Sequence, residues 1–258
     1  MNDSDEKKYI FLKRFNLAMF ALHISQVFLM LYLSRSFKLP ITRSYPFYNT
    51  STMAITPASE TMFEIELAPL IVLFLFISAI AHLLISTILY ERYVKHLKNG
   101  MNPYRWYEYS LSASLMIVII AMLTTIYDFG TLLALFTLTA VMNLMGLLME
   151  IHNQTTEKTN WISYIIGCIA GFVPWVVIFI SLLGGISSAG DAVPDFVIWI
   201  FVSIAIFFNL FAINMFLQYK KIGKWKDYLY GEKVYIILSF VAKSALAWQV
   251  FAGTLRPV

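Results

Sequence analysis

One lysine lies where its charge calls for a chemical explanation. Lys243 stands in the almost wholly apolar stretch Val241–Gly253, close to the end of the chain. If a helix that begins near Val234 crosses a bilayer here, the lysine lies roughly 14 Å deep, about half of a ~30 Å hydrocarbon core. A charged lysine at that depth costs about 3 kcal/mol or more, so it needs an anionic partner or a covalent role. A desolvated amine loses its proton readily and forms Schiff bases with carbonyl compounds.

A single carboxylate is the natural partner of this lysine. Glu108 lies about five residues into another apolar segment, roughly 8 Å from its polar boundary, and Lys243 lies somewhat deeper. Ser112 is one turn beyond Glu108 and Ser239 is one turn before Lys243, so each serine shares a face with its ionisable neighbour. Arg105 is interpreted as an interfacial anchor. The alternative to a chemical role is an ion pair that only joins two helices.

Four further polar residues in apolar segments fall toward one half of the predicted bundle. They are His23, Gln26, His82 and Glu150. Together they would form a hydrated cluster that stores or relays protons. The alternative is a set of separately satisfied polar side chains. No metal site is predicted, because no set of ligands has paired spacing.

The composition identifies a helical membrane protein. Of the 258 residues, 59% are hydrophobic and 13% are charged, with a mean hydropathy of +0.71. The charged share is about half that of a soluble domain, and the apolar runs are continuous and not alternating. A lone cysteine, Cys168, excludes an intrachain disulfide. No nucleic-acid partner is expected, and no nucleophile–base pair indicates intrinsic enzyme activity.

Seven spanning helices are predicted within one domain, residues 1–258. Their approximate ranges are 10–34, 67–96, 103–127, 130–152, 160–184, 195–220 and 232–255. Residues 35–66 form the one long connection, whose short β-prone pieces predict a small extracellular hairpin.

Positive charge predicts the orientation of the bundle. Fourteen of the 19 lysines and arginines lie in the N-terminal segment, in the loops on its side of the membrane, or at the adjoining helix ends. Only Arg35, Lys38, Arg43 and Arg256 lie on the other side. The N-terminus is therefore predicted to be cytoplasmic and the C-terminus extracellular.

Two long stretches carry a resemblance to a known family. They are RWYEYSLSAS, residues 105–114 in the third predicted span, and KSALAWQVFAGT, residues 243–254 in the seventh. These stretches, the seven-helix pattern and the long first loop resemble microbial rhodopsins, and specifically the heliorhodopsins. The predicted orientation, opposite to that of pump rhodopsins, agrees with heliorhodopsins.

This resemblance implies a retinal protein in the plasma membrane. All-trans retinal would be bound to Lys243 as a protonated Schiff base, with Glu108 as the counterion and Ser112 and Ser239 nearby. Other residues expected to line the retinal are Tyr109, Ala113, Met116, Met142, Phe208 and Trp248. The family also implies a slow photocycle in which the polar cluster accepts a proton, a homodimer surrounded by membrane lipids, and a cytoplasmic signalling partner for sensory transduction.

Two departures from pump rhodopsins favour sensing over transport. Ser239 stands where pumps usually have a second carboxylate, and Ile119 stands where outward proton pumps have a carboxylic donor. The extracellular half therefore has no chain of ionisable groups. Three alternatives remain open: a light-driven proton transporter or channel, a light-dependent regulator of a partner enzyme or transporter, and a retinal-free membrane protein with a structural Lys–Glu pair.

Overall fold

The computed structural model describes residues 3–189 and 195–254 of the chain, with side chains for 6–188 and 198–252. The helices are α1 Asp3–Leu33, α2 Leu67–Ser86, α3 Tyr90–Lys98, α4 Pro103–Leu123, α5 Phe129–His152, α6 Ile162–Ala189, α7 Asp195–Tyr219 and α8 Tyr228–Thr254. The strands are β1 Lys38–Asn49 and β2 Ala54–Glu66. All the helices except α3 are long and apolar enough to cross a membrane, so the predicted seven-span architecture is confirmed. The predicted position of Arg256 lies outside the described residues.

The second predicted span, 67–96, is two helices in the structure. Ser86 Oγ donates to the His82 carbonyl and Thr87 Oγ1 donates to the Leu83 carbonyl, both at 2.6 Å. Such bonds compete with the helical ladder and bend helices. The Leu89 N–H then reaches back five residues to the Leu84 carbonyl at 2.8 Å, which ends the regular pattern. The polar segment that follows forms the separate helix α3.

The first connection folds as the predicted antiparallel hairpin. Lys38 pairs with Glu66 at its base and Asn49 pairs with Ala54 at its tip, with one irregularity after Ile41. Leu39 and Ile41 are buried against the bundle, and the Thr42 N–H donates to the Tyr127 carbonyl at 2.9 Å. The hairpin therefore covers one end of the bundle, called the hairpin end below.

The opposite end, called the basic end, comprises the start of α1, helix α3, and the loops after α5 and α7. Helix α1 packs against α2 and α8, α2 against α4, α4 against α5, α5 against α6, and α7 against α8. The hairpin half of this bundle is filled by an apolar core. Its buried residues include Ile71, Phe74, Leu75, Met116, Ile117, Ile119, Ile120, Leu246, Ala247 and Val250. The polar groups described below lie between this core and the basic end.

The turn between α4 and α5 is fixed by an N-cap, as its tight Tyr127–Gly130 sequence suggests. Asp128 Oδ2 accepts hydrogen bonds from the Thr131 N–H and the Thr131 hydroxyl, both at 2.9 Å. Asp128 also bridges to Thr42 of β1, so this cap joins the hairpin to the bundle. The Thr131 backbone N–H, which favours the ionised carboxylate, is the main reason that the pKa of Asp128 lies below its usual value.

Replacing this cap should weaken the fold at the hairpin end. Asp128→Ala removes both bonds from Thr131 and should cost about 1 kcal/mol, measured as a lower thermal unfolding midpoint. Because folding lowers the pKa, the stabilisation from ionised Asp128 is complete above an unfolded pKa of about 3.9 and is lost as the pH falls through the lower folded pKa. Asp128→Asn, the control, should keep most of the cap and lose this acid dependence. Equal stability of the wild type and Asp128→Ala would contradict the assignment.

Candidate functional site

A buried ion pair joins α8 to α4. Lys243 Nζ donates to Glu108 Oε1 at 2.6 Å, and the two side chains are 3% and 8% exposed. Among the described side chains, Lys243 is the one lysine that is buried. Burying either charge alone would be costly, whereas a close hydrogen-bonded pair offsets much of that cost. The structure thus brings together the two residues whose pairing the sequence suggested.

A serine on a third helix completes this contact. Ser78 of α2 accepts a hydrogen bond from Lys243 Nζ at 2.7 Å and donates one to Glu108 Oε1 at 2.7 Å. The Tyr109 ring lies 4.9 Å from Nζ, where its negative face favours a cation. The sequence analysis missed Ser78, because an isolated serine in a membrane helix usually bonds its own backbone. Ser78 stands one turn before His82 and so shares a face of α2 with it, and this spacing was the sequence signal that could have identified Ser78.

Two buried serines flank the pair on the helices that carry it. Ser112 on α4 and Ser239 on α8 are 0% and 2% exposed. Ser239 also lines a cavity of about 30 Å³, called the inner cavity below, on the basic-end side of Glu108. Its lining includes Asn16, His82, Asn102, Arg105, Glu108, Tyr109, Glu232 and Ser239. A cavity of this size is large enough for water.

An apolar cavity begins directly at the lysine. A space of about 40 Å³ beside Lys243 is lined by residues that include Tyr109, Ala113, Met116, Met142 and Phe208. It shares Met142, Asn143, Phe208 and Phe211 with a neighbouring cavity of about 590 Å³ among α4, α5, α6 and α7. Apolar walls of this extent with a lysine at one end fit an elongated apolar carbonyl compound. Five of the six residues expected to line a retinal meet here.

The sixth residue, Trp248, lies elsewhere. Its indole N–H donates to Gln26 Oε1 of α1 at 3.1 Å, and it lines neither of these two cavities. Five residues along a helix turn the side-chain direction by about 140°, so Trp248 and Lys243 face different neighbours. Trp248 therefore lies away from the cavity that begins at Lys243, unlike the other five residues, and its contact with retinal stays a prediction.

The predicted polar cluster is divided in the structure. His23 and His82 stack with ring centroids 5.7 Å apart, and His82 Nδ1 lies 2.7 Å from Asn16 Oδ1. Gln26 is not part of this group, because its amide bonds the Leu22 carbonyl and Trp248. Both histidines are buried, and His82 lines the inner cavity.

Glu150 belongs to a second buried site nearer the basic end. Arg105 Nη2 lies 2.5 Å from Glu150 Oε1, and Arg105 Nη1 forms an ion pair with Glu232 Oε2. The three side chains, called the Arg–Glu triad below, are at most 4% exposed. The interpretation of Arg105 as an interfacial anchor was wrong, since both of its partners are interior. Glu232 was missed because it is the first residue of the predicted span 232–255, where a charged side chain is expected at the membrane surface, whereas α8 begins one turn earlier, at Tyr228.

Neighbouring donors also bond the two carboxylates of the triad. The Asn102 N–H donates to Glu150 Oε2 at 2.8 Å, and its side-chain amide donates to Glu232 Oε1 at 2.6 Å. Tyr228 of α8 donates to Glu150 Oε1 and Tyr93 of α3 donates to Glu232 Oε1, each at 3.1 Å. Asn102 is also the N-cap of α4, so the positive end of that helix faces these carboxylates.

Seven spanning helices around a buried lysine–carboxylate pair, with an apolar cavity at the lysine, define a protein of the microbial rhodopsin class. The sequence profile of the heliorhodopsins matches residues 12–255, and the chain therefore belongs to the heliorhodopsin family. No individual curated protein matches the chain. Membership implies a multi-pass, light-responsive membrane protein that holds retinal on a lysine.

Removing the guanidinium from the triad should destabilise the protein strongly. Arg105→Met leaves Glu150 and Glu232 buried without a cation, which should cost about 3–5 kcal/mol. The measurement is the thermal or denaturant unfolding of the detergent-solubilised protein. Arg92→Met, which changes an exposed arginine on α3, is the control and should have little effect. A loss no larger than that of the control would show that the carboxylates do not depend on Arg105.

Proposed function

We propose that this protein is a light sensor in which Lys243 carries all-trans retinal as a protonated Schiff base and Glu108 is its counterion. The observation that carries the proposal is the 2.6 Å contact between the one buried lysine among the described side chains and Glu108, at the mouth of an apolar cavity. When bound, retinal supplies the absorption of visible light and the change of shape that follows it.

The residues around the lysine nitrogen set its electrostatics. Glu108 stabilises a positive charge on that nitrogen, because an anion at hydrogen-bond distance in a low dielectric favours the cationic form. Ser78 holds the same carboxylate oxygen at 2.7 Å, so Glu108 Oε1 stays directed at the nitrogen. Tyr109, Ala113, Met116, Met142 and Phe208 provide the apolar walls that exclude water from one side of the site.

The histidine pair is the proposed acceptor of a proton released from the site. Asn16 donates from its Nδ2 to the Leu12 carbonyl at 2.8 Å, so its Oδ1 faces His82 and accepts a hydrogen bond from the Nδ1–H. This tautomer leaves His82 Nε2 with a free lone pair. Neither ring nitrogen of His23 has a hydrogen-bond partner among the described residues. Both rings can therefore take up a proton near Glu108.

The apolar core supports sensing over transport. Beyond Lys243 toward the hairpin end, α2, α4 and α8 contribute mainly aliphatic and aromatic buried residues. Among the residues that the structure describes, no chain of ionisable carriers continues in that direction, so we infer that a released proton returns. By family resemblance, we further propose a slow photocycle and a homodimer in the plasma membrane. The N-terminus would be cytoplasmic, and light would act on a cytoplasmic signalling partner.

A visible absorption spectrum tests this assignment. The purified protein, supplied with all-trans retinal, should show a visible band that is absent in Lys243→Ala. Lys233→Ala, which changes a lysine near the basic end of the same helix, is the matched control and should keep the band. Glu108→Gln removes the anion that stabilises the cation, so the pH at which the protonated band disappears should fall.

Two outcomes would contradict the linkage of retinal to Lys243. One is a folded wild-type protein that forms no visible band with retinal. The other is a band that persists in Lys243→Ala, which would assign the linkage to another lysine. An unchanged pH titration in Glu108→Gln would remove Glu108 as the counterion and leave the linkage itself intact.

A further inference from the structure

A cleft at the basic end lies outside the proposed light-sensing site. It has a volume of about 320 Å³ and is called the loop cleft below. The α3–α4, α5–α6 and α7–α8 connections all contribute to its wall, through residues that include Gly100, Glu157, Lys221, Trp225, Lys226 and Tyr228. Because three connections surround it at the end of the bundle, an occupant reaches it from the aqueous phase and not from the lipid. Its volume lies in the range of small-molecule sites, about 300–1,000 Å³.

Hydrogen bonds within the protein hold both walls of the loop cleft in place. On the α5–α6 side, Asn153 Oδ1 accepts a hydrogen bond from the Asn160 N–H at 2.7 Å. On the α7–α8 side, the Trp225 indole N–H donates to Asn214 Oδ1 at 2.6 Å. The cleft is therefore preformed, and an occupant loses little binding free energy to the ordering of its walls.

Two lysines of the α7–α8 connection line the loop cleft. Lys221 and Lys226 belong to its wall, whereas Lys224 Nζ lies 6.0 Å from the centroid of the Tyr230 ring, outside the cleft. Among the described side chains, neither Lys221 nor Lys226 takes part in an ion pair. Two ammonium groups without a carboxylate partner at one cleft favour an occupant with more than one negative charge.

Lys221 has a backbone conformation that favours glycine. Its φ is 53°, in the left-handed region, directly after the end of α7. The Lys221 N–H donates to the Gln218 carbonyl at 3.2 Å, and the Ile222 N–H donates to the Leu217 carbonyl at 3.1 Å. Helices that end with this pair of bonds usually have glycine at the left-handed position, because no Cβ then opposes the conformation. A lysine here is strained, and strain of this kind concentrates at functional sites.

The remainder of the wall fits an organic group attached to the anion. The rings of Tyr219, Trp225 and Tyr228 line the loop cleft beside the two lysines. A phosphate monoester carries a charge of about −1.5 to −2 at neutral pH, which matches two lysines better than a single carboxylate does. A flat ring attached to that phosphate can pack against the aromatic part of the wall.

We propose that the loop cleft binds a small organic phosphate from the aqueous phase, with Lys221 and Lys226 as the partners of the phosphate group. The rings of Tyr219 and Trp225 contact the organic part. Tyr228 is the first residue of α8, so the occupant adjoins the helix that carries Lys243. Binding at this site does not require retinal, and it is tested independently of the proposed function.

Adenosine monophosphate (AMP) is the probe, and isothermal titration calorimetry of the purified full-length protein is the measurement. AMP should bind more tightly than adenosine, which lacks the charge, and more tightly than inorganic phosphate, which lacks the ring. Lys221→Gly and Lys226→Gln should each weaken AMP binding about tenfold, because each removes one charged partner of the phosphate. Lys221→Gly should leave the thermal unfolding midpoint unchanged or raise it, because glycine relieves the left-handed strain. Its loss of binding is therefore separable from misfolding.

Two further variants sharpen the assignment. Lys224→Gln removes a lysine of the same connection that lies outside the loop cleft, so this matched control should bind AMP like the wild type. Glu157→Gln removes the negative charge in the wall and should tighten AMP binding.

The proposal is overturned if the wild type does not bind AMP at millimolar concentration, or if adenosine or inorganic phosphate binds as tightly as AMP. Wild-type affinity in both Lys221→Gly and Lys226→Gln would also overturn it, because AMP would then bind elsewhere. Titrations in phosphatidylcholine nanodiscs with and without phosphatidylglycerol distinguish a soluble phosphate from a lipid headgroup. AMP binding that phosphatidylglycerol leaves unchanged supports the proposal, whereas displacement of AMP by this lipid overturns the aqueous source.

Discussion

The structure depends on one constraint, which is that a charged lysine halfway through an apolar bundle must have an anion beside it. Lys243 and Glu108 meet that requirement at 2.6 Å, and Ser78 closes the contact from a third helix. Helices α2, α4 and α8 must therefore approach one another at a fixed depth and rotation. The other side chains of the interior are arranged around this point, apolar toward the hairpin and polar toward the basic end.

The interior is asymmetric about this contact. On the hairpin side the core is filled by residues such as Phe74, Ile117 and Leu246, which offer protons no carrier. On the other side lie a histidine pair, a cavity large enough for water and a buried Arg–Glu triad. If Lys243 carries retinal as proposed, a light-driven change there would act mainly on the polar side of the interior. This asymmetry is more consistent with a sensor than with a transporter.

The basic end is also where the bundle connects to surface structure. The triad includes residues of α4, α5 and α8, and Tyr93 links it to α3, the described helix that does not span the membrane. Buried ion pairs contribute little net stability compared with apolar packing. Removing one partner is nevertheless costly, because it leaves the other charge buried and unpaired. Such a group is therefore suited to fixing one arrangement of the helix ends.

The sequence by itself determined the seven spans, the hairpin and the pairing of Lys243 with Glu108. Long apolar runs have few alternatives in a bilayer, and a lone buried lysine demands the nearest deep carboxylate. Only the tertiary structure decided that His23 and His82 stack, that Glu150 joins Arg105 and Glu232, and that Trp248 faces α1. These contacts depend on helix rotation, on which helices are lateral neighbours and on where α2 and α8 begin or end. Local sequence patterns do not specify those quantities, because many rotations bury equally apolar faces in lipid.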